Sequence, residues 1–232
     1  MINRAKLINK VMFGLLFMGV VATFNVQASV ALGATRVIYP SDQKQVQLTV
    51  NNNDEKSTYL IQSWVENING KKDGLFVITP PLFVMQGKKE NTLRIIDATN
   101  GLLPKDRESL FWINVKAIPS MQKEKQDANV LQLAIISKIK LLYRPINLSL
   151  SPEQAQDKLQ FKRLDNKLVL SNPTPYFLTV TDLHVGTKEL ENALVPPMGE
   201  TSVFLPPSRS GNITYRTIND YGALTPQIQS KM

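Results

Sequence analysis

Gln45-Val46-Gln47-Leu48-Thr49-Val50 alternates polar and apolar side chains at a period of two. A strand with one face in a core and the other in water reads this way, because successive side chains point to opposite faces. Asn51-Asn52-Asn53-Asp54 then breaks the pattern with residues whose short polar side chains favour turns. The same unit recurs down the chain. Tyr59 to Glu66, Leu75 to Thr79, Leu82 to Met85, Thr92 to Ile96, Leu110 to Ile118 and Val130 to Tyr143 are further strand candidates. Asn69-Gly70 and Asp73-Gly74 are turn dipeptides suited to positive φ, and Pro80-Pro81 interrupts a pairing ladder to which proline cannot donate. After Arg144-Pro145-Ile146-Asn147 the rhythm begins again with Leu159 to Phe161, Lys167 to Leu170, Tyr176 to His184, Thr201 to Leu205 and Ile213 to Ile218. The one helix signal is Ser151-Pro152-Glu153, with Ser at the cap and Pro at the first helical position. Short strands, Pro/Gly turns and almost no helix predict an all-β chain of two β-sandwiches, over residues 29–145 and 146–232.

The first 28 residues read as a secretory signal peptide. Arg4, Lys6 and Lys10 supply the positive start, Val11 to Phe24 is uncharged, and Val26-Gln27-Ala28 offers small residues for cleavage. The apolar run is short for a membrane span, which needs about 20 residues. The expected mature protein therefore begins at Ser29, is exported, and makes no stable membrane insertion. Of the formal charge of +8, the leader accounts for three positive residues, which leaves +5. A modestly basic exported chain suits an acidic surface or an anionic group, and no interleaving of Lys/Arg with aromatics indicates nucleic acid. The chain has no cysteine, which excludes disulfides, thiolate metal sites and a Cys nucleophile. Its 232 residues, 43% of them hydrophobic, are ample for packed cores.

Signals for catalysis are few. His184 is the single histidine and stands in a strand-like stretch with no partner motif. No phosphate loop, metal-ligand spacing or nucleophile elbow occurs. Paired carboxylates could still meet in space, and the sequons at Asn147 and Asn212 carry no weight. The unusual segment is Leu131-Gln132-Leu133-Ala134-Ile135-Ile136-Ser137-Lys138-Ile139-Lys140-Leu141-Leu142-Tyr143, in which Leu131, Leu133 and Ile135 share one face. It lies behind a polar loop, Gln122 to Asn129. From its pattern alone such a run reads first as a central core strand; the sharper reading is an edge strand that adds itself to a partner's sheet.

Leu103-Pro104-Lys105-Asp106-Arg107-Glu108-Ser109-Leu110-Phe111-Trp112-Ile113-Asn114-Val115-Lys116-Ala117-Ile118-Pro119 resembles the signature of the periplasmic pilus-assembly chaperones of chaperone–usher systems. Four further blocks agree in order: Gly33 to Pro40, Thr79 to Phe83, Ile139 to Pro145, and Asn219-Asp220-Tyr221-Gly222-Ala223. The similarity spans residues 29–226 and is nearest to the type 1 fimbrial chaperones, with which the short loop Ser120 to Asn129 and the missing cysteines agree.

The resemblance implies two immunoglobulin-like sandwiches set at an angle with a cleft between them. It implies a chaperone, not an enzyme, that needs no cofactor or metal. Such a chaperone folds and caps fimbrial pilin subunits and the tip adhesin in the periplasm and passes them to the outer-membrane usher. By resemblance, Leu131, Leu133 and Ile135 belong to a strand donated to the groove of an incomplete subunit. Arg36 and Lys140 anchor the subunit's C-terminal carboxylate, for which a guanidinium fork and an ammonium are chemically suited. Glu108, Arg144 and Asp220 form an interdomain ion network. In the free protein Leu131, Leu133 and Ile135 are expected to lie exposed in the monomer or in a labile self-association. Lys140 has the opposite parity to Leu131, Leu133 and Ile135, so either the strand twists or bulges, or the cleft wraps round it. The alternatives are a fimbrial subunit or adhesin, which would usually carry a disulfide and an apolar N-terminal extension, and an exported two-sandwich enzyme acting on glycans.

Overall fold

A computed structural model describes residues 29–120, 131–207 and 211–230. The expected signal peptide, residues 1–28, and the polar loop Gln122 to Asn129 lie outside the described residues. The chain is all-β, as read from the sequence, and its buried apolar residues form two separate cores. Each core lies between two sheets, so the fold is a pair of immunoglobulin-like sandwiches.

In the first sandwich, β1 (Val30–Leu32), β3 (Gln45–Asn52), β7 (Glu90–Asp97) and β5 (Phe76–Thr79) form one sheet in the order β1-β3-β7-β5. The opposite sheet has the order β2-β9-β8-β4-β6, from β2 (Arg36–Pro40), β9 (Ile135–Arg144), β8 (Ser109–Pro119), β4 (Tyr59–Asn67) and β6 (Leu82–Met85). The alternation in β3 does what the pattern demands: Leu48 and Val50 are buried while Gln45 and Gln47 are exposed. Between the sheets an aromatic group packs edge to face. Phe76 lies 5.4 Å from Tyr39 and 4.8 Å from Phe111, centroid to centroid. Pairs of this geometry are worth about 0.5–1.5 kcal/mol beyond their area. The buried Tyr39 hydroxyl accepts the Asp97 N–H at 3.0 Å, which satisfies it.

The arrangement around β9 positions everything that follows. On one side β9 pairs antiparallel with β8, from Ala117↔Ile135 to Ser109↔Tyr143, without a register shift. On the other side β2 runs parallel to it, but only over Lys140 to Arg144. The edge of Ile135 to Ile139 is therefore open.

In the second sandwich, β10 (Gln160–Leu164), β11 (Lys167–Asn172) and β15 (Gly199–Phe204) make one sheet. The other has the order β13-β12-β16-β17, with β14 added on β12, from β12 (Leu178–Val185), β13 (Lys188–Glu189), β14 (Ala193–Val195), β16 (Ile213–Thr217) and β17 (Ile228–Ser230). The helix signal at Ser151 yields one turn, α1 (Pro152–Ala155), continued as a 3₁₀ turn over Gln156–Lys158. Ala155 is fully buried beneath the sandwich and the Tyr215 hydroxyl donates to the Gln156 carbonyl at 2.8 Å.

One strand expectation needs correction. The run from Leu131 to Tyr143 is strand only from Ile135; Leu131 to Ala134 have no ladder partner. Continuing the register would set Leu133 opposite Pro119, which has no N–H to give. The Gln132 side chain bonds the Pro119 carbonyl instead. The short strands β1, β2, β13, β14 and β17 have too few residues to alternate visibly, so the pattern reading passed over them.

Because Phe76 joins Tyr39, Phe111 and Tyr143 in the first core, Phe76→Ala should cost about 3–5 kcal/mol by leaving a cavity at the aromatic junction. Urea denaturation checks this, with the loss falling on the first sandwich.

Candidate functional site

The two sandwiches meet at Arg144, the last residue of β9. Its Nε donates to Glu108 Oε1 at 2.7 Å, and its two terminal nitrogens grip both Asp220 oxygens at 2.6 and 2.7 Å. Glu108 directly precedes β8 in the first sandwich, and Asp220 follows β16 in the second. The second Glu108 oxygen accepts the Phe177 N–H at 2.8 Å, while the Glu108 N–H donates to the Pro175 carbonyl at 2.9 Å. The Arg144 guanidinium also sits 5.1 Å from the Tyr176 ring centre. Burial opposes the Arg144 charge, but its bonds to Asp220 and Glu108 outweigh that and push its pKa above the ordinary arginine value. Burial pushes the Glu108 carboxyl upward, with Arg144 and the Phe177 N–H pulling the other way.

Asp220 is held for this contact by its own turn. Asn219 Oδ1 accepts the Tyr221 and Ala223 N–H groups, and the Gly222 N–H donates to the Asn219 carbonyl. Gly222 has φ of +82° and lies against Thr35, leaving no room for a Cβ. A residue other than glycine would fail here on both counts.

Arg36 and Lys140 are register partners on β2 and β9, so their side chains leave the same face of the sheet. Both reach the second sandwich. Arg36 Nη1 donates to the Ile218 carbonyl at 3.0 Å, and Lys140 Nζ donates to Thr179 Oγ1 at 3.2 Å. Arg36 is 8% exposed and its Nε is buried without a partner. Burial lowers the pKa of both groups, and the Arg36 charge lowers that of Lys140 further. Among the described residues no carboxylate is paired with either. Two desolvated cations side by side are costly unless an anion joins them. A cavity of about 300 Å³ opens beside Arg36, lined among others by Leu142, Tyr176, Tyr221 and Leu224.

The parity of Lys140 needs neither twist nor bulge. Ile139, Leu141 and Tyr143 face the first core; Lys138, Lys140, Leu142 and Arg144 leave the opposite face, whose lower end the second sandwich covers. Leu131, Leu133 and Ile135 have the core-facing parity but lie beyond the end of the core. They are 81%, 68% and 66% exposed, which separates them from core residues. The open edge of β9 thus carries apolar side chains at its start and the cation pair at its finish. Sequence reading missed Thr179, Ile218 and Phe177, two of which act through backbone groups that leave no mark in side-chain identity. Among the described residues no group of acidic or His side chains is placed to hold a metal ion, and no helix is long and apolar enough to cross a membrane.

Asp220→Asn should weaken the Arg144 grip by about 1–3 kcal/mol and broaden the distribution of interdomain angles. Melting and small-angle scattering measure the two effects. Lys140→Met removes an uncompensated, half-buried charge, so it should leave the melting temperature of the free protein unchanged or raise it at neutral pH. A depressed lysine pKa means that the unfolded chain holds more protons, so wild-type stability should rise on approaching the ordinary lysine pKa. The gap between variant and wild type should therefore narrow in alkaline melts.

The sequence matches two family models in tandem. Residues 29–149 match the PapD N-terminal domain of pili and flagellar-assembly chaperones, and residues 154–229 match the C-terminal domain of the pili assembly chaperone PapD. The chaperone protein FimC of Escherichia coli O6:H1 is 68% identical over 218 residues, which is 94% of this chain and 90% of FimC. Among solved structures, the periplasmic chaperone SfaE is similar at 65% identity and a TM-score of 0.79, over 88% of this chain and all of SfaE. The SafB chaperone, solved in complex with the Salmonella enterica SafA pilin, is similar at 33% identity and a TM-score of 0.80, over 89% of this chain and 97% of that one. With both domain models matched in order and this identity across nearly its whole length, the chain belongs to the PapD family of pili-assembly chaperones.

Proposed function

We propose that this protein is a periplasmic chaperone that captures fimbrial pilin subunits and the tip adhesin by lending them the open half of β9, and then yields them to the outer-membrane usher. The observation that carries the reading is the half-covered β9 edge. It begins at exposed Leu131, Leu133 and Ile135 and ends at the unneutralised pair Arg36 and Lys140.

An incomplete subunit sandwich exposes unpaired backbone groups and an apolar groove. The β9 edge offers hydrogen bonds to the first, and three apolar side chains fill the second. Each large aliphatic residue buried contributes about 1.5–3 kcal/mol before ordering costs. The subunit's C-terminal carboxylate supplies the anion that Arg36 and Lys140 lack. With its terminus at Lys140, a subunit strand can lie only along Leu131 to Ile139, because β2 fills the edge beyond. It therefore runs parallel to β9 and stops end-on against β2. The leader at residues 1–28 supports a periplasmic location, and SafB held with a pilin supports the class of partner. The scheme contains no catalytic step.

Leu133→Glu should leave the melting temperature of the free protein near wild type, because the side chain is outside the core, and abolish co-purification of a type 1 pilin. Arg36→Ala or Lys140→Ala should likewise lose the complex, since a desolvated carboxylate left without its charge partner commonly costs about 2–5 kcal/mol. Collapse of the free Leu133→Glu protein, or wild-type amounts of complex with either anchor variant, would overturn the reading.

A further inference from the structure

The open half of β9 is held in place by little. Among the described residues, Ile135 to Ile139 have ladder partners only in β8. On the core-facing side, Ile135 is two-thirds exposed and Leu131 and Leu133 touch no core. Ile139 packs on the first core at one end and the Gln132 side chain bonds the Pro119 carbonyl at the other; a further tie lies between them on the opposite face. Lys138, in the middle of the open half, crosses β8 with its Nζ 5.2 Å from the Trp112 ring centre. It reaches Glu66 Oε2 at 3.0 Å, on β4, two strands away. The other Glu66 oxygen accepts the Trp64 Nε1–H at 2.7 Å, and the Trp64 ring is covered by Lys72 Nζ at 4.7 Å. The Asn114 amide, opposite both Lys138 and Trp64 in the register, donates to the Trp112 carbonyl at 3.3 Å. The Glu66 side chain is 16% exposed and the Lys138 side chain 44%, so the carboxylate end of the pair is sheltered while the ammonium end meets solvent.

We infer that Lys138, Trp112 and Glu66 form a cross-sheet brace that clamps the open half of β9 onto β8 and positions it for donation. The inference rests on the strand-donation reading. A subunit joined to the free edge, with its groove filled by Leu131, Leu133 and Ile135, pulls on the one side of β9 that lacks a neighbour. A strand half held by a single ladder would fray or follow the subunit. Lys138 is where a tie to the rest of the sheet opposes this, on the face that the subunit groove does not take. Glu66 accepts hydrogen bonds from Trp64 and Lys138, which hold its carboxyl below the usual range and keep the brace charged.

These are positioning residues, so the test reads local order and capture rate rather than yield. The full chain is prepared as wild type, Lys138→Met, Lys138→Arg and Leu133→Glu. Hydrogen exchange is followed in each free protein, and association with a type 1 pilin by stopped flow. Of the two tryptophans of the chain, Trp112 belongs to the brace and Trp64 bonds its Glu66, so their emission reports its loss. Lys138→Met should speed exchange over Ile135 to Ile139 and slow association, each roughly 3- to 10-fold, with exchange elsewhere and melting as in wild type. Lys138→Arg should restore both. Wild-type exchange and association in Lys138→Met would overturn the brace, as would a uniform rise of exchange across both sandwiches. If Leu133→Glu still associates at the wild-type rate, strand donation itself fails. Loss in Leu133→Glu with no effect in Lys138→Met removes only the brace.

Discussion

Arg144 is the residue on which the two sandwiches depend. Its guanidinium has three nitrogens engaged by two carboxylates, one from each sandwich. Glu108 depends on it most: that residue is 3% exposed, and burial opposes its charge while Arg144 favours it. Each partner is fixed in turn, Glu108 by backbone groups of the second sandwich and Asp220 by a turn wedged against Thr35. The joint is thus over-determined, and a planar fork makes it directional in a way an ammonium could not. Removing any one charge strands the others in a poorly solvated place.

The same joint creates the opposite electrostatic condition a few residues away. Arg36 and Lys140 are brought together by the β2–β9 register and covered by the second sandwich, yet among the described residues no acid forms an ion pair with either. The fold spends stability there. A site of this kind is preorganised for an anion because the cost of gathering two cations is met before a ligand arrives. Asp220 and Glu108, both bonded to Arg144, also act on the Arg36 charge and raise its pKa against the larger effect of burial.

Much of the architecture was legible because strand alternation is a local code. Leu48 and Val50 face inward as the pattern from Gln45 to Val50 requires, and the Ser151-Pro152 cap starts the one short helix. The turns at Gly70 and Gly74 adopt positive φ. What was not legible depends on the third dimension. The end of β9 at Ile135 is set by Pro119 on a neighbouring strand, and the exposure of Leu133 by where the facing sheet stops. Composition could not distinguish Leu133 from Leu141, which is fully buried on the same face. The charged positions Arg36, Lys140, Glu108, Arg144 and Asp220 came from family resemblance; their spacing in the chain holds no sign that they converge. The contact of Glu66, Trp112 and Lys138 leaves no sign in the sequence, since cross-sheet neighbours on β4, β8 and β9 are related only through register.

Because β2 covers the β9 edge from Lys140 onward, the open stretch has a hard stop at one end and none at the other. A guest strand seated there would be aligned from its last residue backwards, as a rod is measured against a wall. Guests of different length would share one alignment at their C-termini and differ only at the far end, near Leu131. One extra residue past the guest's natural terminus would meet the Arg36 backbone and force a slip. Since side chains alternate faces, a slip by one would turn every apolar contact outward. For a guest strand lent this edge, the short parallel strand would act as a gauge for the chain end.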